Sequence, residues 1–400
     1  MQKFKLNNGL TVVHEKRQTD SVAIEINVGT GSNNEDSSIA GMSHFLEHMV
    51  FEGTKTRTAK QISEAIENVG GELNAATTNE RTFFYIKVPK KKLGLAMEIL
   101  ADMMQNPAFD QTVLDKERKV VLEEIKMVND QPILYQWVLF EKTIFKRHPA
   151  KNPVYGSVQA VRAITRKDMH DYYGRWYIPN NMILTVVGDF SDLPALVKKH
   201  FGNMKRGPLT ALKRPTEPQE TKPTVKQEHK EVNQAYIVLG YKTIPKLHKD
   251  SVVLDVISSV FSKGLSGRIN SEIRVKRGLA YAVGTVHESN KEYGLFVFYL
   301  NCAKKNMDIC RKIILDEIDK LDDLGPKELG EAKEHMIGSR LLRKEDSHRR
   351  GDNLAEWEFI KDARLADDYL RQVKRVSKSD IKRVRNKFLT KNYTMVVLSK

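Results

Sequence analysis

The chain has 400 residues, of which 40% are hydrophobic and 29% are charged, a composition typical of soluble globular proteins. Its 66 basic and 51 acidic residues give a formal net charge of +15, but the basic residues are scattered without interleaved aromatic residues, which argues against nucleic-acid binding. No apolar run approaches the ~20 residues that cross a bilayer, so the sequence predicts no membrane span.

The N-terminal residues 1–13 alternate in polarity around an Asn-Asn-Gly turn and predict a β-hairpin. They match neither a signal peptide nor a transit peptide. The two cysteines, Cys302 and Cys310, are interpreted as packing residues, and so small a number suits a reducing, cytoplasmic location. A predicted strand at 22–28 and a loop rich in Gly, Asn and Ser lead into the next helix.

That helix carries the motif His44-x-x-Glu47-His48. A helix places the two imidazoles one turn apart on the same face, where both can bind one metal ion with Zn–N bonds of roughly 2.0–2.1 Å. Glu47 faces the same position, and a free carboxylate beside a metal-bound water is placed to take its proton. Two histidines at this spacing also occur for packing and hydrogen bonding alone. A catalytic zinc site further needs a third protein ligand.

Several regular elements follow the motif. Thr58 and Gln61 have the spacing of a capping box, which predicts a helix start. The elements predicted next are a helix that ends at 70–71, strands at 73–78 and 81–88, a helix at 92–105, and a long helical stretch at 110–145.

The long helix has two kinds of face. One stripe consists of Leu114, Glu117, Val121, Glu124 and Val128, so two carboxylates interrupt an apolar face. Another stripe consists of Asp115, Lys119, Glu123 and Lys126, as on a solvated helix face. Burying Glu117 and Glu124 is costly unless something positive meets them. A metal ion would offset this cost if Glu124 binds it and Glu117 supports the ligands. A Lys or Arg partner for the two carboxylates would offset it equally well.

The second half of the chain repeats the order of elements in the first. A strand at 182–188 and a helix at 193–201 close the first half, and residues 205–230, with four prolines, predict a linker. A strand at 234–241 and a helix at 252–261 follow, and 177–187 is echoed by 389–398. The repeat predicts a duplicated domain, with a metal-binding domain at 1–204 and a homologous domain at 231–400 that lacks the histidine motif.

The chain resembles the insulysin–pitrilysin group of inverted-motif zinc peptidases, which includes the mitochondrial processing peptidases. In that group a glutamate ligand follows the second histidine by 76 or 77 residues, and another essential glutamate lies seven residues before it. Here Glu124 is 76 residues after His48, and Glu117 is seven before Glu124. The similarity also includes Glu35, Gly41 and the segments 51–54, 70–75 and 177–181.

The resemblance implies an α+β fold of two homologous domains, each a mostly antiparallel sheet covered by helices, which together form half of a clamshell chamber. It implies one zinc ion per chain, held by His44, His48 and Glu124, with Glu47 as general base and Glu117 supporting the ligands. Arg274 and Tyr281 of the C-terminal domain hold the positions at which the group binds substrate backbone and polarises the scissile carbonyl. An Arg and a Tyr in such a loop would, by themselves, be structural more often than catalytic.

Asn74 and Ala75 match the segment that lines the cleft in the group, where the substrate lies as an extra strand on a sheet edge. The expected function is therefore zinc-dependent endopeptidase activity on peptides or unfolded segments inside a dimeric chamber. The resemblance predicts a homodimer or a heterodimer with a homologous subunit. The alternative from another class is a non-catalytic structural or assembly subunit of a heteromeric complex.

Overall fold

The computed structural model describes residues 1–210, 212 and 214–400. The strands are β1 (Gln2–Lys5), β2 (Thr11–Glu15), β3 (Ser21–Val28), β4 (Glu72–Thr77), β5 (Thr82–Pro89), β6 (Met182–Val187), β7 (Thr224–His229), β8 (Ala235–Lys242), β9 (Ala280–Ser289), β10 (Gly294–Cys302) and β11 (Thr394–Ser399). The α-helices are α1 (Met42–Phe51), α2 (Ala59–Glu67), α3 (Leu93–Gln105), α4 (Gln111–Asp130), α5 (Pro132–Ile144), α6 (Val158–Ala163), α7 (Arg166–Trp176), α8 (Leu193–Phe201), α9 (Ser251–Phe261), α10 (Met307–Asp319), α11 (Pro326–Glu345), α12 (Ser347–Ile360), α13 (Leu365–Arg375) and α14 (Lys378–Phe388). None of the described helices is both long and apolar enough to cross a membrane.

The chain forms two compact units that are discontinuous in sequence. The first consists of residues 1–126, 152–214 and 343–366, and the second of residues 127–151, 215–342 and 367–400. Each half of the chain therefore gives one segment to the unit built mainly from the other half. The boundaries 1–204, 205–230 and 231–400 stay a prediction.

Each unit is built on one mixed sheet. The first unit has the strand order β1-β2-β6-β3-β5-β4, in which β2 and β6 are parallel and the other neighbours are antiparallel. The second has the order β7-β11-β8-β10-β9, in which β7 and β11 are parallel and the others antiparallel. The last five strands of the first sheet thus match the second sheet in order and direction. The predicted α+β fold, with two related and mostly antiparallel sheets, is confirmed.

The first unit has one apolar core on the side of the sheet that faces the motif helix. Ile24 and Ile26 on β3, Phe45 on α1 and Leu100 on α3 are all fully buried in it. Burial of one such side chain stabilises a fold by about 1.5–3 kcal/mol relative to exposure. This packing fixes the face of α1 that points away from the core, and that face carries His44, Glu47 and His48.

The long helical stretch predicted at 110–145 forms two helices, because the chain breaks between α4 and α5. Pro132 occupies the first turn of α5, and Gln131 before it is extended, with φ −89° and ψ 107°. Proline lacks the N–H that a continuous helix needs and disfavours helical geometry in the preceding residue. Strand β7 likewise lies within the predicted linker 205–230, where it pairs with β11.

Helix α12 packs on β3 and β6 of the first unit, although it comes from the C-terminal half of the chain. Two of its contacts with the sheet are charged. Arg350 donates from Nε to Glu15 Oε2 at 2.8 Å, and His348 Nε2 lies 3.1 Å from Glu25 Oε2 in the sheet. Such pairs are far apart in sequence, so no local pattern predicts them.

Glu217 joins the second unit's N-terminal segment to the rest of that unit. Its carboxylate accepts from the Lys242 ammonium and from the backbone N–H groups of Lys146, Arg147 and His148, each at 2.8 Å. Burial alone would raise the pKa of Glu217, but these four donors together lower it to about 2. The ionised carboxylate is therefore stabilised by folding.

We expect Glu217→Gln to lower the stability of the second unit at pH 7 by about 1–3 kcal/mol. Because the pKa falls from about 4.3 in the unfolded chain to about 2 in the folded one, the wild-type advantage is complete above pH ~5 and shrinks as the pH falls toward 2. Thermal melts of the wild type and the variant across this pH range measure the difference in stability. A difference in melting temperature that stays constant with pH would contradict the assignment.

Candidate metal and catalytic site

The start of helix α1 is held by the carboxylate of a half-buried glutamate. Glu35 accepts from the backbone N–H of Gly41 through Oε2 and from that of Ser43 through Oε1, both at 2.6 Å. The first N–H groups of a helix have no partner within it, and negative charge at that end is favourable. Burial, opposed by these two hydrogen bonds, raises the pKa of Glu35 to about 7. Gly41 has φ 99°, and a Cβ there would lie 2.6 Å from the Tyr155 carbonyl oxygen.

A second set of hydrogen bonds supports the first turn of α1. The Tyr172 hydroxyl lies 2.8 Å from Ser43 Oγ and 2.7 Å from Thr30 Oγ1. Tyr172 and Ser43 are both buried. These contacts fix Ser43, and because His44 follows it directly in the helix, they limit how far the first imidazole can move.

Three side chains from α1 and α4 converge on one point. His44 Nε2 and His48 Nε2 each lie 3.6 Å from Glu124 Oε2, and one ligand atom from each residue lies within 4.8 Å of the others. Ligands at about 2.0–2.2 Å from a tetrahedral zinc ion are roughly 3.3–3.6 Å apart, so the spacing suits a zinc site. In the described part of the chain, no other group of three His, Cys, Asp or Glu residues has such spacing.

The surroundings of the two histidine rings suit metal binding. Burial, and then the neighbouring His48, lower the pKa of His44 to about 4, so its imidazole is neutral near pH 7. His48 Nδ1 lies 3.4 Å from Glu117 Oε2, and donation there leaves the Nε2 lone pair directed toward Glu124. His44 Nδ1 is buried without a hydrogen-bond partner among the described residues. Two imidazole nitrogens and a carboxylate oxygen form a donor set that zinc prefers.

The burial along α4 confirms the two predicted faces. Glu117 is buried and Glu124 half-buried, whereas Glu123 is 76% exposed at its side chain. Glu117 has a basic neighbour, since Lys116 Nζ lies 3.7 Å from its Oε1. No Lys or Arg of the described ranges forms an ion pair with Glu124, whose charged neighbours are the two imidazoles. The alternative of a Lys or Arg partner therefore holds in part for Glu117, whereas Glu124 has no such partner among the described residues.

Glu47 lies beside the cluster and is not one of its three members. Its Oε2 accepts from Thr77 Oγ1 on β4 at 2.5 Å. Burial is the largest influence on the pKa of Glu47 and raises it, with a smaller rise from Glu124, while the Thr77 hydrogen bond and His48 act in the opposite direction. A carboxylate with a raised pKa is a stronger base, which suits proton transfer.

Asn74 and Ala75 lie on the same strand as Thr77. Strand β4 pairs with β5 alone and is the edge of its sheet in the described structure. Asn74 is exposed, and its Oδ1 accepts from the N–H of Ala75 at 2.8 Å. An edge strand next to Glu47 has the form needed to pair with an extended peptide.

Arg274 and Tyr281 belong to the second unit. Arg274 lies in a π-helical turn, Asn270–Val275, and Tyr281 lies near the start of β9 with 77% of its surface exposed. The Arg274 guanidinium carbon is 4.9 Å from the centre of the Tyr281 ring, so the two side chains stack. The predicted pair is therefore together, with Tyr281 exposed and Arg274 half-buried.

The sequence pattern does not reveal the roles of two supporting residues, Thr77 and Tyr172. Thr77 was predicted within a strand, but nothing in the pattern linked it to Glu47, which is 30 residues away. Tyr172 has no motif at all. For Thr77 there is one weak signal. The alternation of a β-strand places Thr77 on the same face as Leu73 and Ala75, and Ala75 belongs to the segment expected to line the cleft.

Comparisons with known proteins identify the family of this chain. The family model described as "Insulinase (Peptidase family M16)" matches residues 10–158, and the model described as "Peptidase M16 inactive domain" matches residues 163–336. The "uncharacterized zinc protease YmxG" of Bacillus subtilis is 31% identical, over 100% of this chain and 98% of its own length. An "uncharacterized zinc protease" of Mycobacterium tuberculosis is 32% identical, over 98% of this chain and 92% of its own length.

Solved structures also match the whole chain. A protease from Helicobacter pylori has a TM-score of 0.95 and 27% identity, with 100% of this chain and 99% of that one covered. An M16 inactive-domain structure from Pseudomonas fluorescens has a TM-score of 0.90 at 19% identity, which supports the fold alone.

Proposed function

The chain belongs to the insulinase family of peptidases, M16, and is a zinc metallopeptidase; from this we propose that it is an endopeptidase that uses Glu47 as general base. The observation that carries the proposal is the convergence of His44, His48 and Glu124 beside an uncoordinated carboxylate. We assign those three side chains as ligands of one zinc ion per chain. The substrates are peptides or unfolded segments.

The proposed mechanism divides the work among this chain's residues. A zinc ion at this site supplies Lewis-acid chemistry, which lowers the pKa of water and polarises a peptide carbonyl. Glu47 takes the proton of the attacking water and later gives it to the leaving amine. Glu117 orients His48 through Nδ1. The exposed edge at Asn74 and Ala75 binds the substrate as an added strand, which aligns one peptide bond with Glu47.

Arg274 and Tyr281 are proposed to bind the substrate backbone and to donate to the carbonyl oxygen as it gains charge. We expect Arg274→Ala or Tyr281→Phe to lower kcat by about 10²–10³-fold, the usual effect of removing one such donor. Kinetics with a quenched fluorescent peptide measure this loss. Arg277→Ala is the control, because Arg277 lies in the same loop but binds Glu272. Equal effects of the Arg274 and Arg277 changes would contradict the role.

We further propose that two chains pair around an enclosed chamber, as a homodimer or with a homologous subunit, and that the protein acts in the cytoplasm, where its two free cysteines stay reduced. Enclosure restricts hydrolysis to flexible substrates. Light scattering of the purified protein at a series of concentrations measures its mass. A monomer that cleaves peptides at full rate would contradict the paired chamber.

The experiment that tests the function is peptide hydrolysis by the purified chain with and without a zinc chelator. We expect cleavage of an unstructured peptide, loss of cleavage with the chelator and recovery when zinc is restored. A folded protein of the same composition should resist. If the zinc-loaded chain, alone and with a homologous subunit, cleaves nothing, the alternative of a non-catalytic assembly subunit replaces the proposal.

A further inference from the structure

The carboxylate of Glu47 receives its hydrogen bonds from a single residue. Glu47 is not among the three residues that converge on the metal position, so coordination does not fix it. A half-buried glutamate has a long side chain that samples several rotamers unless a partner selects one. In the described part of the chain, the hydrogen-bond donors to Glu47 all belong to Thr77. The position of the proposed base therefore depends on that threonine.

The contact between Thr77 and Glu47 is short and involves two donors. Thr77 Oγ1 donates to Glu47 Oε2 at 2.5 Å. Hydroxyl groups that donate to an ionised carboxylate lie about 2.5–2.7 Å from it, and such charge-assisted bonds are among the stronger ones. The backbone N–H of Thr77 acts in the same direction, since it also lowers the pKa of Glu47. Two donors on one rigid strand restrict both the place and the rotation of the carboxylate.

The hydrogen-bond pattern of β4 explains why the backbone of Thr77 faces Glu47. At the turn between β4 and β5, the N–H of Thr78 donates to the Arg81 carbonyl at 2.8 Å. Bonded and non-bonded pairs alternate along an antiparallel ladder. The N–H and C=O groups of Thr77 and Ala75 therefore point away from β5, toward the open edge of the sheet.

The two outward N–H groups have different partners. That of Ala75 donates to the side chain of Asn74 at 2.8 Å, and Asn74 is exposed, so this side chain is free to turn into solvent. That of Thr77 faces Glu47, two residues or about 6.8 Å further along the strand. An extended peptide can thus pair with Ala75 once Asn74 turns away, whereas Glu47 occupies the next pairing position.

We propose that Thr77 is a positioning residue, whose hydroxyl holds Glu47 at the edge of β4 so that one strand both pairs with the substrate and locates the base. The inference rests on the function proposed above. The hydroxyl acts through Glu47 and not on the substrate. Because the peptide and the base are placed by the same strand, the distance between the scissile bond and the carboxylate is fixed before the reaction.

The test compares Thr77→Val with Thr77→Ser in the hydrolysis of a quenched peptide. Valine has the shape of threonine but cannot donate, so we expect kcat to fall by about 10–100-fold while KM and zinc content stay unchanged. Serine keeps the hydroxyl and should recover most of kcat. Thr82→Val is the matched control, because Thr82 pairs with Thr77 across the sheet but donates to the Thr30 carbonyl at 3.0 Å. It should lower the melting temperature and leave kcat unchanged.

A double-mutant cycle separates positioning of the base from a general structural role. The Glu47→Gln side chain takes no proton, so its orientation no longer matters, and adding Thr77→Val should lower the residual kcat by less than about twofold. A structural role would lower kcat equally in both backgrounds. That equality, a Thr77→Ser protein as slow as Thr77→Val, or wild-type kcat in Thr77→Val would overturn the inference. Full activity of Glu47→Gln would instead contradict the proposed function itself.

Discussion

The Glu47→Gln variant is expected to retain its zinc and to lose peptidase activity by about 10²–10⁴-fold, the usual contribution of a positioned proton-transfer group. Glutamine is nearly the same size and can still accept from Thr77, so the helix should keep its position. What it loses is the ability to take a proton. The measurement is kcat/KM for a quenched peptide together with the zinc content of the same sample.

Glu52→Gln is the control for that experiment. Glu52 follows the last residue of α1 and has Lys116 as its charged neighbour, with the Lys116 Nζ 3.8 Å away. We expect its removal to leave activity close to that of the wild type. Full activity of Glu47→Gln would contradict the base assignment. Loss of zinc together with activity would show instead that Glu47 acts as a ligand.

The Glu124→Gln variant is expected to lose zinc affinity by more than the 10–100-fold typical of removing a residue that only supports a ligand. Glutamine provides a neutral oxygen, so the site loses the one negative charge among its three donors. Glu117→Gln should fall within the 10–100-fold range, because Glu117 acts through His48. Competition with a fluorescent zinc chelator measures the zinc affinity of the wild type and of both variants.

Glu123→Gln is a closely matched control for Glu124→Gln. The two glutamates are adjacent in α4, but the Glu123 side chain is 76% exposed and its charged neighbour is Lys126. We expect its zinc affinity to equal that of the wild type. Equal affinities for Glu123→Gln and Glu124→Gln would remove Glu124 from the proposed ligand set.

The sequence predicted the parts of the site that depend on local periodicity. Steps of three and four residues placed His44 and His48 on one face of α1, and the same steps separated Glu124 from Glu123 on α4. Helical geometry alone determines these relations, so no knowledge of the tertiary structure is needed. The pairing of α1 with α4 came from the family resemblance, because periodicity gives the face of a helix but not the element it packs against.

Apart from the break at Pro132, which follows from the proline itself, the parts that were missed depend on contacts between distant residues. The break at Pro132 divides the predicted long helix and gives α5 to the second unit, while α12 packs on the first. The Arg350 contact with Glu15 joins residues 335 positions apart. Charged side chains on a helix usually indicate a solvated face, so a charged pattern such as that of α12 does not by itself predict packing on a sheet.

Anomalous diffraction at the zinc edge, from crystals grown with zinc, tests the central claim most directly. We expect one strong peak in the first unit, about 2.0–2.2 Å from Nε2 of His44, Nε2 of His48 and one carboxylate oxygen of Glu124. Glu47 should lie beside the peak without direct contact. A peak elsewhere, or a Glu124 side chain directed away from the two imidazoles, would contradict the account.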